Sequence, residues 1–228
     1  CVALVKNPQL SDDELFTLVP GPDFPGGGQI ISPVGDICDA YRTGRGSLKV
    51  RARWKIEDMA RGQWQLVVTE LPPGVSTQRV LEEIEELTNP KIKSGKKALS
   101  QDQTQLKATV LSVLDVVRDE SNKDAAVRLV FEPKTSRIEQ SELITCLLAH
   151  TSLETSSPIN LTMVGHDGRP AQKSLRQLLN EWISFSQIKV QSRSQHRLDK
   201  ELDRIHILDG TENVLLNIDE VIAIIRTS

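Results

Sequence analysis

Aromatic side chains are scarce. They make up 4% of 228 residues, with three tryptophans, four phenylalanines and one tyrosine, Tyr41. A sheet that stacks unpaired bases displays aromatics, so this scarcity argues against a platform for single-stranded RNA. Cysteine is scarce too. Cys1, Cys38 and Cys146 are odd in number and far apart. They form neither a disulfide framework nor a metal knuckle, which fits a reducing compartment. No apolar run is long enough to cross a membrane, and no signal peptide is legible. The four histidines, His150, His166, His196 and His206, lack the spacing of metal ligands. Asp119-Glu120 is no Asp-x-Asp metal cluster and is predicted to cap the chain or pair with Arg118 or Lys123. Gly26-Gly27-Gly28 lacks the lysine and the strand-to-helix frame of a phosphate loop. No Gly-x-Ser-x-Gly elbow occurs. No complete active site is legible. Finally, there is no excess of positive charge: 28 Lys and Arg against 31 Asp and Glu leave −3. Affinity for a polyanion therefore has to come from local clustering.

What is present fits an elongated module. Hydrophobic content is 38% and charged content 26%, a mix that suits much solvated helix surface. The chain begins without Met and ends without a C-cap signal, so both ends read as cuts through something longer. Residues 2–6 read as a helix tail stopped by Pro8. Ser11 and Glu14 have capping-box spacing, which predicts a helix over 12–18. Another short helix is predicted over 34–41, with Gly44 beyond its end. Residues 48–56 and 63–71 read as a hairpin closed by Pro72-Pro73. Ser76 opens a helix on which Val80, Leu81, Ile84 and Leu87 recur at helical spacing. The polar stretch 91–105, with Lys93, Lys96 and Lys97, reads as a mobile surface insertion. Residues 109–115 are ambiguous between helix and strand. A charged turn over 118–124, a strand over 127–132, a helix over 141–149 and a strand over 159–164 follow. The class is α+β, a small mixed sheet covered by helices, followed by long coiled-coil-type helices. From Lys173 onward only helix texture remains. Leu175, Leu178, Leu179, Trp182 and Ile183 form an apolar stripe. Lys189, Arg193, Arg197, Lys200 and Arg204 form a basic one interleaved with Asp199, Glu201 and Asp203. Gly210 costs roughly 1 kcal/mol inside a helix, so a joint is expected near it.

The stretch from Val19 to Arg53 organises the rest. Pro20, Pro22 and Pro25 with Gly21, Gly26, Gly27 and Gly28 exclude regular structure from 20 to 28. Gly44-Arg45-Gly46 then reads as a turn. Beyond it Lys49, Arg51 and Arg53 alternate with Val50, Ala52 and Trp54, giving one cationic and one apolar face. Arg42, Arg45, Lys49, Arg51 and Arg53 are the candidate contacts to a phosphate backbone. The alternative is that they pair with acids such as Glu70 or simply solvate.

The same residues carry a resemblance. Pro20-Gly-Pro-Asp-Phe-Pro25 with Ile30-Ile31, then Tyr41-Arg-Thr-Gly-Arg-Gly46 and Arg51-Ala52, is similar to the A subunits of bacterial type IIA DNA topoisomerases, gyrase and topoisomerase IV. Arg118-Asp-Glu-Ser121, Ile159-Asn-Leu-Thr-Met163, Asp167-Gly-Arg-Pro170, His206-Ile-Leu208 and Asn217-Ile-Asp219 follow in that family's order. Trp54-Lys-Ile-Glu-Asp58 and the run from Ile159 to Pro170 resemble the topoisomerase IV branch. The resemblance implies residues 1–18 ending a preceding helical region, a tower domain over 19–172, and a coiled-coil arm starting at 173. The partners it implies are duplex DNA and, in an A2B2 assembly, an ATPase B subunit together with a second A subunit. It places Mg²⁺ and ATP on the B subunit, with no cofactor in this chain. The parent would cleave a duplex, pass a second one through ATP-dependently and reseal, decatenating and relaxing DNA. The resemblance implies a cytoplasmic location on the chromosome and allows peripheral association with the inner face of the cell membrane. The family's nucleophilic tyrosine lies in a different motif, so Tyr41 is expected to be structural and the catalytic set of this chain is none. Two readings compete: a self-standing α+β RNA-binding module, and a coiled-coil dimerisation scaffold. Titration with duplex DNA against single-stranded RNA separates them.

Overall fold

A computed structural model describes residues 1–91 and 99–227. The chain divides into two compact units. The larger is Ser11–Thr162 with Gln172–Leu175; the other is Cys1–Leu10, Met163–Ala171 and Arg176–Ser228.

The larger unit opens with α2 (Asp12–Leu18), after α1 (Val2–Lys6) of the other unit. Ser11 caps α2 as its spacing predicts: its hydroxyl accepts the Glu14 N–H, and Glu14 accepts the Ser11 N–H at 2.9 Å. After the Pro/Gly stretch come β1 (Gln29–Ile30) and α3 (Val34–Thr43), which ends at Gly44 in the left-handed region. Next are β2 (Arg45–Arg51), β3 (Arg53–Asp58) and β4 (Trp64–Glu70). The predicted strand over 48–56 is thus two strands. They belong to different sheets and part at Ala52. The first sheet has order β1-β2-β7, with β7 at Glu154–Asn160. The second has order β3-β4-β6-β5, with β5 at Leu114–Asp119 and β6 at Leu129–Pro133. The strand pairs in both are antiparallel. The α+β class holds, with two antiparallel sheets where one small mixed sheet is expected.

Three helices cover one face of the second sheet: α4 (Thr77–Thr88), α5 (Gln101–Val113) and α6 (Gln140–His150). Val80 and Ile84, Val110 and Val113, and Leu143 and Leu147 pack with Leu66, Val68, Leu129 and Phe131 into one core. α5 corrects the expectation of a free insertion over 91–105. Ser100 and Gln103 form a second capping box, and Leu106 packs on the core. Polar residues at 100–105 are the start of a helix whose apolar side lies further on. Lys93, Lys96 and Lys97 lie outside the described residues. The ambiguity at 109–115 resolves as a junction, with helix to Val113 and strand from Leu114. Arg118 and Asp119 end a strand where a turn is expected. β7 starts at Glu154, five residues before the predicted strand. Its Ser- and Thr-rich sequence hides it, and Pro158 is tolerated because β7 is an edge strand.

The opposite face of the second sheet is closed by charge. Val67 and Val130 are fully buried yet lie outside the main core. Register puts them in one row with Lys55 and Arg118. Arg128 grips Glu57 with two nitrogens at 2.8 and 3.1 Å and reaches Glu120 at 3.0 Å. Arg118 bonds Glu120 at 3.3 Å and Glu132 at 2.6 Å, and Lys55 reaches Glu57 at 2.7 Å. The aliphatic stems of these chains shield the valines while their heads stay wet. Arg128 first, then Lys55 and Gln65, hold the Glu57 carboxyl well below its ordinary value of 4.5.

In the other unit, α7 (Leu175–Leu216) runs for 42 residues without a buried side chain. Ahead of α7 the chain makes a hairpin of β8 (Thr162–Val164) and β9 (Pro170–Gln172). The expected joint at Gly210 is absent: the helix passes through it. The break comes at Asn217, before α8 (Ile218–Thr227). One glycine's cost of about 1 kcal/mol is too small to stop a helix of this length.

Phe131→Ala is expected to remove about 3–5 kcal/mol, because the ring is fully enclosed and its loss leaves a cavity in the core; the urea midpoint should fall with an unchanged slope. Glu57 makes a second expectation. A carboxyl whose folded pKa is depressed adds stability above its unfolded pKa and loses it as pH falls. Glu57→Gln should therefore be less stable than the parent at pH 7, and the gap should narrow below about pH 4.5. Urea midpoints at pH 7, 5, 4 and 3 measure this, and a constant gap would refute it.

Candidate nucleic-acid interface

The five predicted cations lie on one continuous piece of backbone: the end of α3, the turn at Gly44, β2, and the first residue of β3. Local packing makes that piece firm. Gly46 lets α3 lie close on β2, since a Cβ there would come within 2.8 Å of the Ala40 Cβ. Leu48, Val50 and Ala52 are buried. Lys49 is held at its backbone, its N–H donating to the Ser32 hydroxyl at 2.8 Å. The predicted alternation between an apolar and a cationic face is therefore present, carried across the join of two sheets.

The cations differ in what they already hold. Arg42 is 2.9 Å from Asp13 and 3.5 Å from Asp39, and its guanidinium lies 5.5 Å over the Phe16 ring. Arg51 meets Glu154, directly opposite on β7, through Nη2 at 2.7 Å and Nε at 2.8 Å. Arg53 meets Glu70, directly opposite on β4, at 3.1 Å. Arg45 and Lys49 are exposed, and no acidic group among the described residues pairs with either. The anticipated Arg53–Glu70 pair exists. Asp13 and Glu154 carry no sequence signal for their roles: Glu154 lies 103 residues from Arg51, and only the β2–β7 register brings them together.

Tyr41 is buried, its ring 5.6 Å from that of Phe16. Burial, and then Cys38, push its hydroxyl pKa up. A nucleophile needs the opposite, a lowered pKa or a base beside it. Among the described residues no group of three His, Cys, Asp or Glu is placed to hold a metal ion. The basic stripe on α7 is exposed along its length. Lys189 lies 5.2 Å from the Phe185 ring, and Asp199 accepts from Gln195 at 2.8 Å. The interleaved acids Asp199, Glu201 and Asp203 offset part of this stripe's charge. What the geometry offers is a strip of five cations, of which Arg42, Arg51 and Arg53 are paired with acids and Arg45 and Lys49 are exposed.

Comparison with known proteins gives one family. The family model for the A subunit of DNA gyrase/topoisomerase IV matches residues 1–228. The DNA topoisomerase 4 A subunit of Neisseria gonorrhoeae is 51% identical over 227 residues, covering 100% of this chain and 30% of that protein. The protein of the same name from Escherichia coli K12 is 40% identical over 225 residues, covering 99% and 27%. That of Pseudomonas aeruginosa is 41% identical over 227 residues, covering 100% and 27%. The chain thus spans 27–30% of the length of these relatives.

Proposed function

The chain belongs to the family of DNA gyrase/topoisomerase IV A subunits, and from that premise we propose that it serves as the tower and the start of the coiled-coil arm of a topoisomerase IV A subunit. In this reading residues 1–18 end a preceding helical region, 19–172 are the tower, and 173–228 begin the arm. Its work is to hold and bend the duplex that the parent enzyme cuts. Bending a site costs about 1–6 kcal/mol, which added phosphate contacts offset. The observation that carries the reading is the pair Arg45 and Lys49, exposed, unpaired with acids among the described residues, and set on a rigid strip. Such cations release condensed counterions without reading bases, as a machine acting on almost any DNA requires.

The parent would be an isomerase in an A2B2 assembly. Its B subunit would supply ATP hydrolysis and Mg²⁺, and it would decatenate and relax DNA on the chromosome in the cytoplasm. No helix among the described residues is long and apolar enough to cross a membrane. Peripheral membrane association has no support in these observations. The exposed stripe of Leu198, Leu202, Ile205 and Leu208 suits the seam of a coiled coil.

Two expectations follow. Arg45→Gln with Lys49→Gln should lower the salt slope of duplex binding by nearly 2, about 0.9 per lost phosphate contact. Affinity should drop alike for unrelated sequences. An unchanged slope in a folded variant would mean that this strip is merely solvated. In the second, supercoiled plasmid incubated with this chain, a B subunit, ATP and Mg²⁺ should stay supercoiled. A covalent DNA adduct at Tyr41 would overturn the reading.

A further inference from the structure

Two carboxylates sit where phosphates are proposed to go. Glu70 Oε2 lies 3.1 Å from Arg53 Nε and also accepts the Gly28 N–H at 2.7 Å. Glu154 Oε2 takes both Nε and Nη2 of Arg51. The Glu70 pair is built in. Gly27 and Gly28 have φ of 78° and 95°, a region that side-chain-bearing residues avoid. A Cβ on Gly27 would come within 2.6 Å of the Glu70 Cδ, so the loop backbone rests on this carboxylate. The next residue, Gln29, pairs with Arg51 in the sheet. One acid therefore anchors the end of the Pro/Gly loop and occupies Arg53, while the neighbouring Arg51 is occupied by Glu154.

We propose that Glu70 and Glu154 are affinity-setting residues of the DNA strip: they hold Arg53 and Arg51 in place as internal stand-ins for phosphate, and a duplex gains those two cations only by displacing them. The inference rests on the reading of the strip as a DNA contact. Arg45 and Lys49 make the first, unopposed contacts. Arg51 and Arg53 engage when a phosphate comes close enough to compete. The side chains of Arg51 and Arg53 are 34% and 57% exposed, so both guanidiniums are within reach of solvent and of a duplex. Both pairs keep part of their surface in contact with solvent, which weakens them enough for a phosphate to compete. The strip thereby keeps duplex binding weak and reversible at sites where the DNA is not pressed against β2 and β3.

Glu→Gln tests this while preserving shape, and at position 70 it keeps an amide oxygen for the Gly28 N–H. Duplex binding by the chain is followed by fluorescence anisotropy across a salt series, with thermal melting as the check on folding. Glu70→Gln and Glu154→Gln should each tighten binding several-fold and steepen the salt slope by about 0.9. The gain from Glu70→Gln should vanish when Arg53→Gln is added, and that from Glu154→Gln when Arg51→Gln is added, which makes each a coupled pair. Glu70→Ala should lower the melting temperature more than Glu70→Gln, because it also frees the loop. A gain that survives loss of the paired arginine would reflect only net charge and overturn the proposal. So would folded Gln variants with unchanged slope. If Arg45→Gln with Lys49→Gln leaves binding unaltered, the DNA strip itself fails; if that variant weakens binding and the Glu variants change nothing, only the stand-in role fails.

Discussion

The larger unit depends on one passage of backbone through Ala52. Its N–H donates to the Leu153 carbonyl at 2.7 Å, and its methyl is fully buried. Up to Arg51 the chain is paired with β7; from Arg53 it is paired with β4, with a register shift at Arg53/Trp54. A single extended strand thus leaves one sheet and enters another. The side chain at the crossing must be small, because the core already encloses the space around it, and added methylenes in a filled core cost about 1–3 kcal/mol. The same crossing decides the electrostatics. Arg51 and Arg53 are two apart and share a face, yet each meets an acid from a different sheet.

That crossing also marks the boundary of what the sequence makes legible. Ser11 with Glu14, Ser76, and Gly44 act within a few residues, and each is where local spacing puts it. The alternation of Leu48, Val50 and Ala52 with Lys49, Arg51 and Arg53 is local too, and burial follows it. Strand pairing is not local. Nothing in residues 48–56 says that their partners change at Ala52. Nothing near Glu154 says that it faces Arg51. The helix at α5 is hidden for another reason: its first turn is polar, and its inward residues Val110 and Val113 come late. The five cations are readable because charge clusters in sequence; of their acids Glu70 is anticipated, whereas Asp13 and Glu154 meet them only in the folded chain.

Paired charge explains how a chain of net −3 can present a cationic strip. On the open face of the second sheet, Arg118, Arg128 and Lys55 are bound to Glu57, Glu120 and Glu132, and the group covers Val67 and Val130. There the cations are committed to structure, with two arginines each bridging two carboxylates. From Arg45 to Arg53 the commitments are single or absent. Arg45 and Lys49 have none among the described residues, and Arg51 and Arg53 have one acid each. The doubly paired arginines of that face thus contrast with the singly paired or unpaired cations between Arg45 and Arg53.

The second unit obeys a different constraint. A helix of 42 residues with no buried side chain has no core to hold it. Helical stability in proteins comes mostly from packing an apolar face, and propensity adds little. Leu198, Leu202, Ile205 and Leu208 are each about half exposed. Leu198, Leu202 and Ile205 recur at steps of four and three residues, so they lie along one side of the helix, with Leu208 beside them. The remaining surface of the helix is lined by exposed basic and acidic residues. Burial holds the larger unit together from within, whereas the apolar stripe of α7 stays about half exposed.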